Sequence, residues 1–242
     1  MADVHGASEF CAASSAAADK TQLFVFAGDA TSQGCAHETE WFMSCLEGRV
    51  VVLEAGNHDL CGTFTRNTNA TANEAVRVGN VEFLVLQIHQ KDAFTNTRVD
   101  PVLMEGAFAF LDEHLAADDP EIEHRFVVVH TPVYSTGEFG SDELFTPRFE
   151  QFIDAHSQSR IRAVLTGHDH VFSVFKRNGV YYKLTGSGSA KLDAVHRLGS
   201  RSWPSDVLEG PLEGDGSAKS MGYEYHVYSK PANTKTQVFL TK

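Results

Sequence analysis

Seven potential ligands, Asp3, His5, Asp29, Asn57, His130, His168 and His170, stand at the tips of hydrophobic runs along this 242-residue chain. Their chemistry is selective. A mixture of carboxylate, imidazole and one amide suits a pair of borderline divalent or trivalent metals, whereas all-oxygen ligands would suit magnesium or calcium and thiolates a closed zinc site. Two such metals sharing one carboxylate, about 3.5–4 Å apart, can activate a water and clamp the oxygens of an in-line phosphoryl displacement.

For residues so distant in sequence to meet, the segments before them must be neighbouring strands. Leu23–Ala27 leads into Gly28-Asp29, Val50–Glu54 into Gly56-Asn57-His58-Asp59, Phe126–Val129 into His130, and Ala163–Thr166 into Gly167-His168-Asp169-His170. Each run is short and apolar, as a buried strand is. In an open α/β sheet, ligands gather beyond the carboxyl ends of the strands, so these tips can converge on one crevice. Asp29 follows Asp3 by 26 residues and Asn57 follows Asp29 by 28, each enough for a strand-helix-strand crossover. Only Met1 and Ala2 precede Asp3. Either the sheet edge is cut short there or Asp3-Val4-His5 is a coincidence.

The remaining pattern fills in the frame. Trp41, Phe42, Cys45 and Leu46 share a face of a helix over His37–Leu46, with Gly48 as its stop. Cys61–Asn80 is polar and is expected to be a long loop near the active edge. Val81–Ile88 predicts a strand, and Met104, Phe108, Leu111 and Leu115 mark a helix. Thr146-Pro147 opens another, with Thr146 as its cap. Phe172–Phe175, the turn Asn178-Gly179 and Val180–Leu184 predict a hairpin. Leu192–Ser220 is expected to be a surface excursion, and Tyr223–Tyr228 and Thr236–Leu240 closing strands of the second sheet.

Taken together, Asp3-Val4-His5-Gly6, Gly28-Asp29, Gly56-Asn57-His58-Asp59, His130 and Gly167-His168-Asp169-His170 resemble the signature of the calcineurin-like metallophosphoesterases. The resemblance runs from Asp3 to His170, more weakly to about Ala190. It implies an α/β fold, a four-layer αββα sandwich of two mixed sheets flanked by helices, with a dinuclear site at one edge. It also implies that Asp3, His5 and His170 hold one metal, that Asn57, His130 and His168 hold the other, and that Asp29 bridges them. His58 would be the acid that protonates the leaving group after attack by a bridging hydroxide.

Val127–Tyr134 and Ser135 look most like the purple-acid-phosphatase branch. That branch carries a tyrosine three residues after the bridging aspartate, whereas this chain has Ser32. A colourless relative is therefore expected, with two metal ions drawn from manganese, iron or zinc. The implied activity is hydrolysis of small phosphate mono- or diesters. A cyclic-nucleotide phosphodiesterase or nuclease with the same ligands is an alternative, as is a catalytically weak scaffold that binds a partner.

Composition fits one domain over residues 1–242, since 42% hydrophobic content can bury a sizeable core. The net charge of −12 opposes binding to long nucleic acid, whose affinity comes largely from phosphate neutralisation. No segment approaches 18 uninterrupted apolar residues and the start lacks a basic-then-apolar signal, so no membrane partner and a cytoplasmic location are expected. Cys11, Cys35, Cys45 and Cys61 are expected to be free thiols, and Asn69-Ala70-Thr71 a polar loop. Histidines outside the motifs are assigned structural roles, His89 being the possible exception at a strand end. Asp59 and Asp169 are expected to orient their neighbours. Tyr134 either flanks the substrate or packs behind the loop, and Gly186-Ser187-Gly188-Ser189 is expected to be a flexible turn.

Overall fold

The computed structural model describes residues 1–7, 9–17, 23–46, 48–60, 63–68, 70, 72–89, 99–117, 119–186, 188, 208–209, 223–228 and 235–240. Its first half is built on two parallel strands, β1 (Leu23–Ala27) and β2 (Val50–Glu54), in register from Leu23 opposite Val50 to Ala27 opposite Glu54. Three helices, α1 (Glu9–Ala17), α2 (Ala36–Cys45) and α3 (Thr63–Thr68), belong to this half. The larger sheet comprises β3 (Glu74–Val78), β4 (Val81–Leu86), β5 (His124–Val129), β6 (Ile161–Thr166), β7 (Phe172–Arg177), β8 (Val180–Thr185) and β9 (Leu208–Glu209), in the spatial order β3-β4-β5-β6-β8-β7-β9. Its centre, β4-β5-β6-β8, is parallel, and its margins are antiparallel. Helices α4 (Pro101–Ala116) and α5 (Phe145–Ala155) pack against it.

The period-2 alternation of the strands sorts their side chains into three cores. Phe24 and Phe26 of β1 point towards α1, α2 and α3, where they meet Phe10, Phe42 and Phe64. Val25 and Ala27, with Val52 of β2, face the other way, onto Val81, Phe83 and Val85 of β4, Phe126 and Val128 of β5, and Ala163 and Leu165 of β6. The opposite faces of those strands, Leu84, Leu86, Val127, Val129 and Val164, lie against Met104, Phe108 and Leu111 of α4 and Phe149, Phe152 and Ile153 of α5. The result is the expected helix-sheet-sheet-helix order. The smaller sheet, expected to be mixed, consists of one parallel pair among the described residues.

Several expectations need correction. Cys61–Asn80 is not one loop: it contains α3 and β3, and β3 forms a hairpin with β4. The strand Glu-Ala-Val-Arg-Val is an edge with mostly exposed side chains, so it lacks the apolar alternation that would announce it. Its one signal was Gly79-Asn80 between two valines, a two-residue hairpin turn. Strands β10 (Tyr223–Tyr228) and β11 (Lys235–Leu240) pair with each other and not, among the described residues, with β1 or β2. Thr146 does not cap α5; Asp142, two residues before the Leu144 cap position, accepts from the N–H groups of Leu144 and Phe145 at 2.9 and 2.8 Å. Cys11 and Cys45, expected free, form a disulfide joining α1 to α2, while Cys35 is free. Residues 192–207 and 210–220 of the expected excursion, Cys61 and Asn69 lie outside the described residues. No described helix is long and apolar enough to cross a membrane.

At the front, the short leading segment runs alongside β1. The Met1 amino group donates to Val25 O at 3.0 Å, Ala27 N–H to Met1 O at 2.9 Å and Asp3 N–H to Gly28 O at 3.0 Å. These bonds carry Asp3 past the carboxyl end of β1 into the crevice.

Candidate metal centre

All seven candidate ligands lie on loops that leave the carboxyl ends of β1, β2, β5 and β6 or on the segment beside β1. Four of them have left-handed backbones: φ is 58° at Asp3, 48° at His5, 57° at Asp29 and 76° at His168. Such conformations cost non-glycine residues of order 1–3 kcal/mol each and persist only where the surroundings fix them. The loops also approach one another closely. A Cβ on Gly28 would run into the His130 ring, and one on Gly56 into the Asp29 carboxyl and backbone, which is why both motifs put glycine just before the ligand.

Two groups of donors result. Asn57 Oδ1 is 3.0 Å from His130 Nε2 and 3.1 Å from His168 Nδ1. On the other side, Asp3 Oδ1 is 3.9 Å from His5 Nε2 and 3.8 Å from His170 Nε2, and the two imidazole nitrogens are 3.0 Å apart. Asp29 stands between them, with Oδ2 at 3.2 Å from His130 Nε2 and 3.7 Å from His5 Nε2. Separations near 3 Å are those of atoms sharing one cation with bonds of about 2.0–2.2 Å. The donor set fits the metal ions that the resemblance implies.

The supports of these donors are internal to the chain. His130 Nδ1–H donates to Ala27 O at 2.9 Å, which aims Nε2 into the cluster. Both Asp3 oxygens accept from His168 N–H at 3.0 Å, and Asp29 Oδ1 accepts from His58 N–H at 2.9 Å. Asp59 ties two loops together: it accepts from Ala30 N–H at 3.1 Å, Thr31 N–H at 2.9 Å, Thr31 Oγ1 at 2.7 Å and Gly56 N–H at 3.1 Å. Asp169 does the same for the loop after β5, accepting from Phe139 and Gly140 N–H at 2.8 and 3.0 Å.

Burial and neighbouring charge together decide the charge of each group. Burial alone would raise the Asp29 carboxyl, yet His130, with His58 and His5, holds it well below the usual carboxylate range. Burial likewise opposes charge on His130, but the Asp29 carboxylate in contact with it raises it well above the ordinary histidine value. His168 is pushed well down by burial and by His130 and His89, and His5 falls to about 4 through burial, with His58 and His170 adding to it against the pull of Asp29. Neutral imidazoles with free lone pairs are the form that ligates a cation.

Near this cluster stands His58, whose Nδ1 is 2.9 Å from Ser32 O and whose ring centroid is 4.7 Å from that of His5. Ser32, at the position where the purple-acid-phosphatase branch has a tyrosine, also donates its hydroxyl to His5 O at 2.8 Å. His89 is buried, with Nε2 at 2.7 Å from Thr131 Oγ1 and its ring 5.7 Å from that of His130. It also lies 6.2 Å, ring centroid to ring centroid, from His168. Tyr134 is buried against Phe175 and Tyr182 and donates to Glu150 Oε1 at 2.6 Å, so it packs behind the loop and does not flank the cleft. Within the stretch expected to be a turn, Gly186 and Gly188 approach Asp169 and Ala2 too closely for a Cβ. Two residues escaped the sequence reading: Glu54, fully buried at the end of β2, and Phe139, exposed beside His168. Neither belongs to a motif, and no periodicity marks a side chain that tertiary contacts bring to the site.

Residues 1–172 match the sequence profile of the calcineurin-like phosphoesterases, and the chain belongs to that family, a class of metallophosphoesterases. No curated protein matched the sequence. Among solved structures, the fold resembles a purple acid phosphatase, PPD1, from seeds of yellow lupin, with a TM-score of 0.63 and 13% identity over 85% of this chain and 43% of the lupin chain. It also resembles a dimetal phosphatase from Danio rerio, at 0.56 and 14% over 72% and 76% of the two chains. A third likeness is GAP50, described as the anchor in the inner membrane complex of Plasmodium, at 0.60 and 13% over 86% and 75%. This chain therefore spans less than half the length of the lupin enzyme.

Proposed function

We propose that this chain hydrolyses small phosphate mono- or diesters at a dinuclear centre in which Asp3, His5 and His170 hold one metal, Asn57, His130 and His168 the other, and Asp29 bridges. The observation that carries this reading is the position of Asp29 Oδ2, within 3.2 Å of one donor group and 3.7 Å of the other. Among these donor types, only a carboxylate readily spans two ions. When bound, the cations supply Lewis acidity that makes hydroxide available near neutral pH and offsets charge on the phosphoryl oxygens.

The chain's own residues do the rest. The Ala27 carbonyl orients the His130 imidazole and the Asp3 carboxylate holds the His168 backbone, so the phosphoryl group meets a preorganised site. His58, fixed at Nδ1 by Ser32, hands a proton to the departing ester oxygen. The net charge of −12 favours a small ester over long nucleic acid. The Cys11–Cys45 bridge favours an oxidising compartment over the cytoplasm.

The test is to load the protein with manganese, iron or zinc, count bound metal per chain, and screen a phosphoester library. Close to two ions per chain and hydrolysis abolished by chelation are expected. Full activity in a thoroughly chelated sample overturns the reading.

A further inference from the structure

Phe139 keeps 53% of its surface exposed although it stands beside the candidate metal centre. Its ring centroid is 4.8 Å from that of His168, with 33° between the planes. His168 Nδ1 is in turn 3.1 Å from Asn57 Oδ1, so a single imidazole separates the phenyl ring from the cluster that would hold the phosphoryl group. The ring's backbone is fixed as well. Asp169 accepts from the N–H groups of Phe139 and Gly140 at 2.8 and 3.0 Å, and the Ser135 hydroxyl donates to the same carboxylate while accepting from Gly137 N–H at 2.9 Å. A Cβ on Gly137 would run into the Asp169 carboxyl, so the loop lies flush against it.

An isolated exposed phenyl needs no explanation. Phe139 differs because the residue that anchors it, Asp169, directly follows candidate ligand His168. The same short segment therefore sets both the metal-facing imidazole and the apolar ring at its rim. A phosphoryl group on the centre must project its ester substituent outwards, past such a rim. Flat rings pair at centroid distances of about 4.5–7 Å, and stacking accepts any π face without reading its polar edge.

We propose that Phe139 is a specificity-determining platform: the preferred esters carry a flat aromatic ring, aryl or nucleobase, that stacks on its exposed face. This inference rests on the reading of the cluster as a phosphoester-hydrolysing centre. Aliphatic esters bind the same centre without that gain.

The experiment measures calorimetric binding of phenylphosphonate and methylphosphonate to the manganese-loaded protein, which needs no turnover. Wild type should prefer phenylphosphonate by roughly tenfold, the usual scale of one aromatic stack. The preference should collapse towards one in Phe139→Ala and persist in Phe139→Trp. A wild type without preference, or the same ratio in wild type and Phe139→Ala, overturns the proposal. In a second arm, KM is measured for phenyl phosphate and a nucleoside 5′-monophosphate. A rise in Phe139→Ala for either one identifies the ring that is used, and a rise for neither counts against the platform. If no ester is hydrolysed yet the phosphonate ratio still collapses, the hydrolase reading fails and the platform stands.

Discussion

Ser32 O lies 2.9 Å from His58 Nδ1, so the position that carries a tyrosine in the purple-acid-phosphatase branch here orients the candidate acid. Because Nδ1–H is committed to that carbonyl, Nε2 is the nitrogen left to meet a leaving group. The same serine fixes the His5 backbone, which couples the acid to a candidate ligand.

His58→Ala should accordingly be selective. An activated aryl oxide departs without a proton whereas an alkoxide does not. Nitrophenyl esters should retain much of their rate, while alkyl or nucleoside esters lose about 10²–10⁴-fold, with bound metal unchanged. Steady-state kinetics alongside metal analysis measure this. An equal fall for both ester types would assign His58 to positioning, and loss of metal would make it a ligand or its support.

Asn57→Ala and His168→Ala each remove a donor from the same group, in which Asn57 Oδ1 and His168 Nδ1 are 3.1 Å apart. Both should bind less metal and lose activity by orders of magnitude. Elemental analysis after gel filtration, paired with assays on one ester, provides the check; normal metal content in both variants contradicts the assignment.

Asp59→Ala should destabilise the fold even though Asp59 is no proposed ligand. It leaves four donors, from Ala30, Thr31 twice and Gly56, without their acceptor. A buried donor left unsatisfied costs about 1–3 kcal/mol, so a combined loss of at least about 3 kcal/mol is expected in urea unfolding. A loss below about 1 kcal/mol would mean that water or neighbouring groups replace the carboxylate.

Glu54 supplies a pH dependence in the chelated protein. Burial first, opposed by His130 and reinforced by Asp29, pushes its carboxyl from the ordinary 4.5 up to about 8. Between those values the folded protein keeps a proton that the unfolded chain has released. Stability therefore falls as pH rises through this window, by up to about 1.4 kcal/mol per pH unit. Urea titrations at intervals across it should show that slope in wild type and a flatter one in Glu54→Gln, which should also be the more stable at the alkaline end. Parallel slopes would exclude Glu54 as the source.

The layered architecture and the convergence of the motifs were legible because both depend on local pattern. Apolar runs of strand length ending in a polar residue, with a glycine between for Asp29, Asn57 and His168, indicated where these three and His130 would sit, since parallel strands deliver their carboxyl ends to one side of a sheet. Strand β3 was not legible: as an exposed edge it buries little, so its residues carry no apolar alternation. The same limit applied to the pairing of β10 with β11, because each reads as a strand while its partner is a matter of tertiary placement.

For the site, the sequence determined the donor types and their order along the chain. Only the tertiary structure decided which donors share a group, that Asp29 reaches both, and that Met1–Asp3 hydrogen-bonds beside β1 and so brings Asp3 and His5 to the crevice. It also decided the roles of residues outside any motif: Tyr134 packed behind a loop, Cys11 bonded to Cys45, Glu54 buried behind His130 and Phe139 exposed beside His168. The physical reason is range. Strand propensity and glycine turns act over a few residues and leave their mark in sequence, whereas burial, charge coupling and stacking depend on partners up to 165 residues away, as between Asp3 and His168.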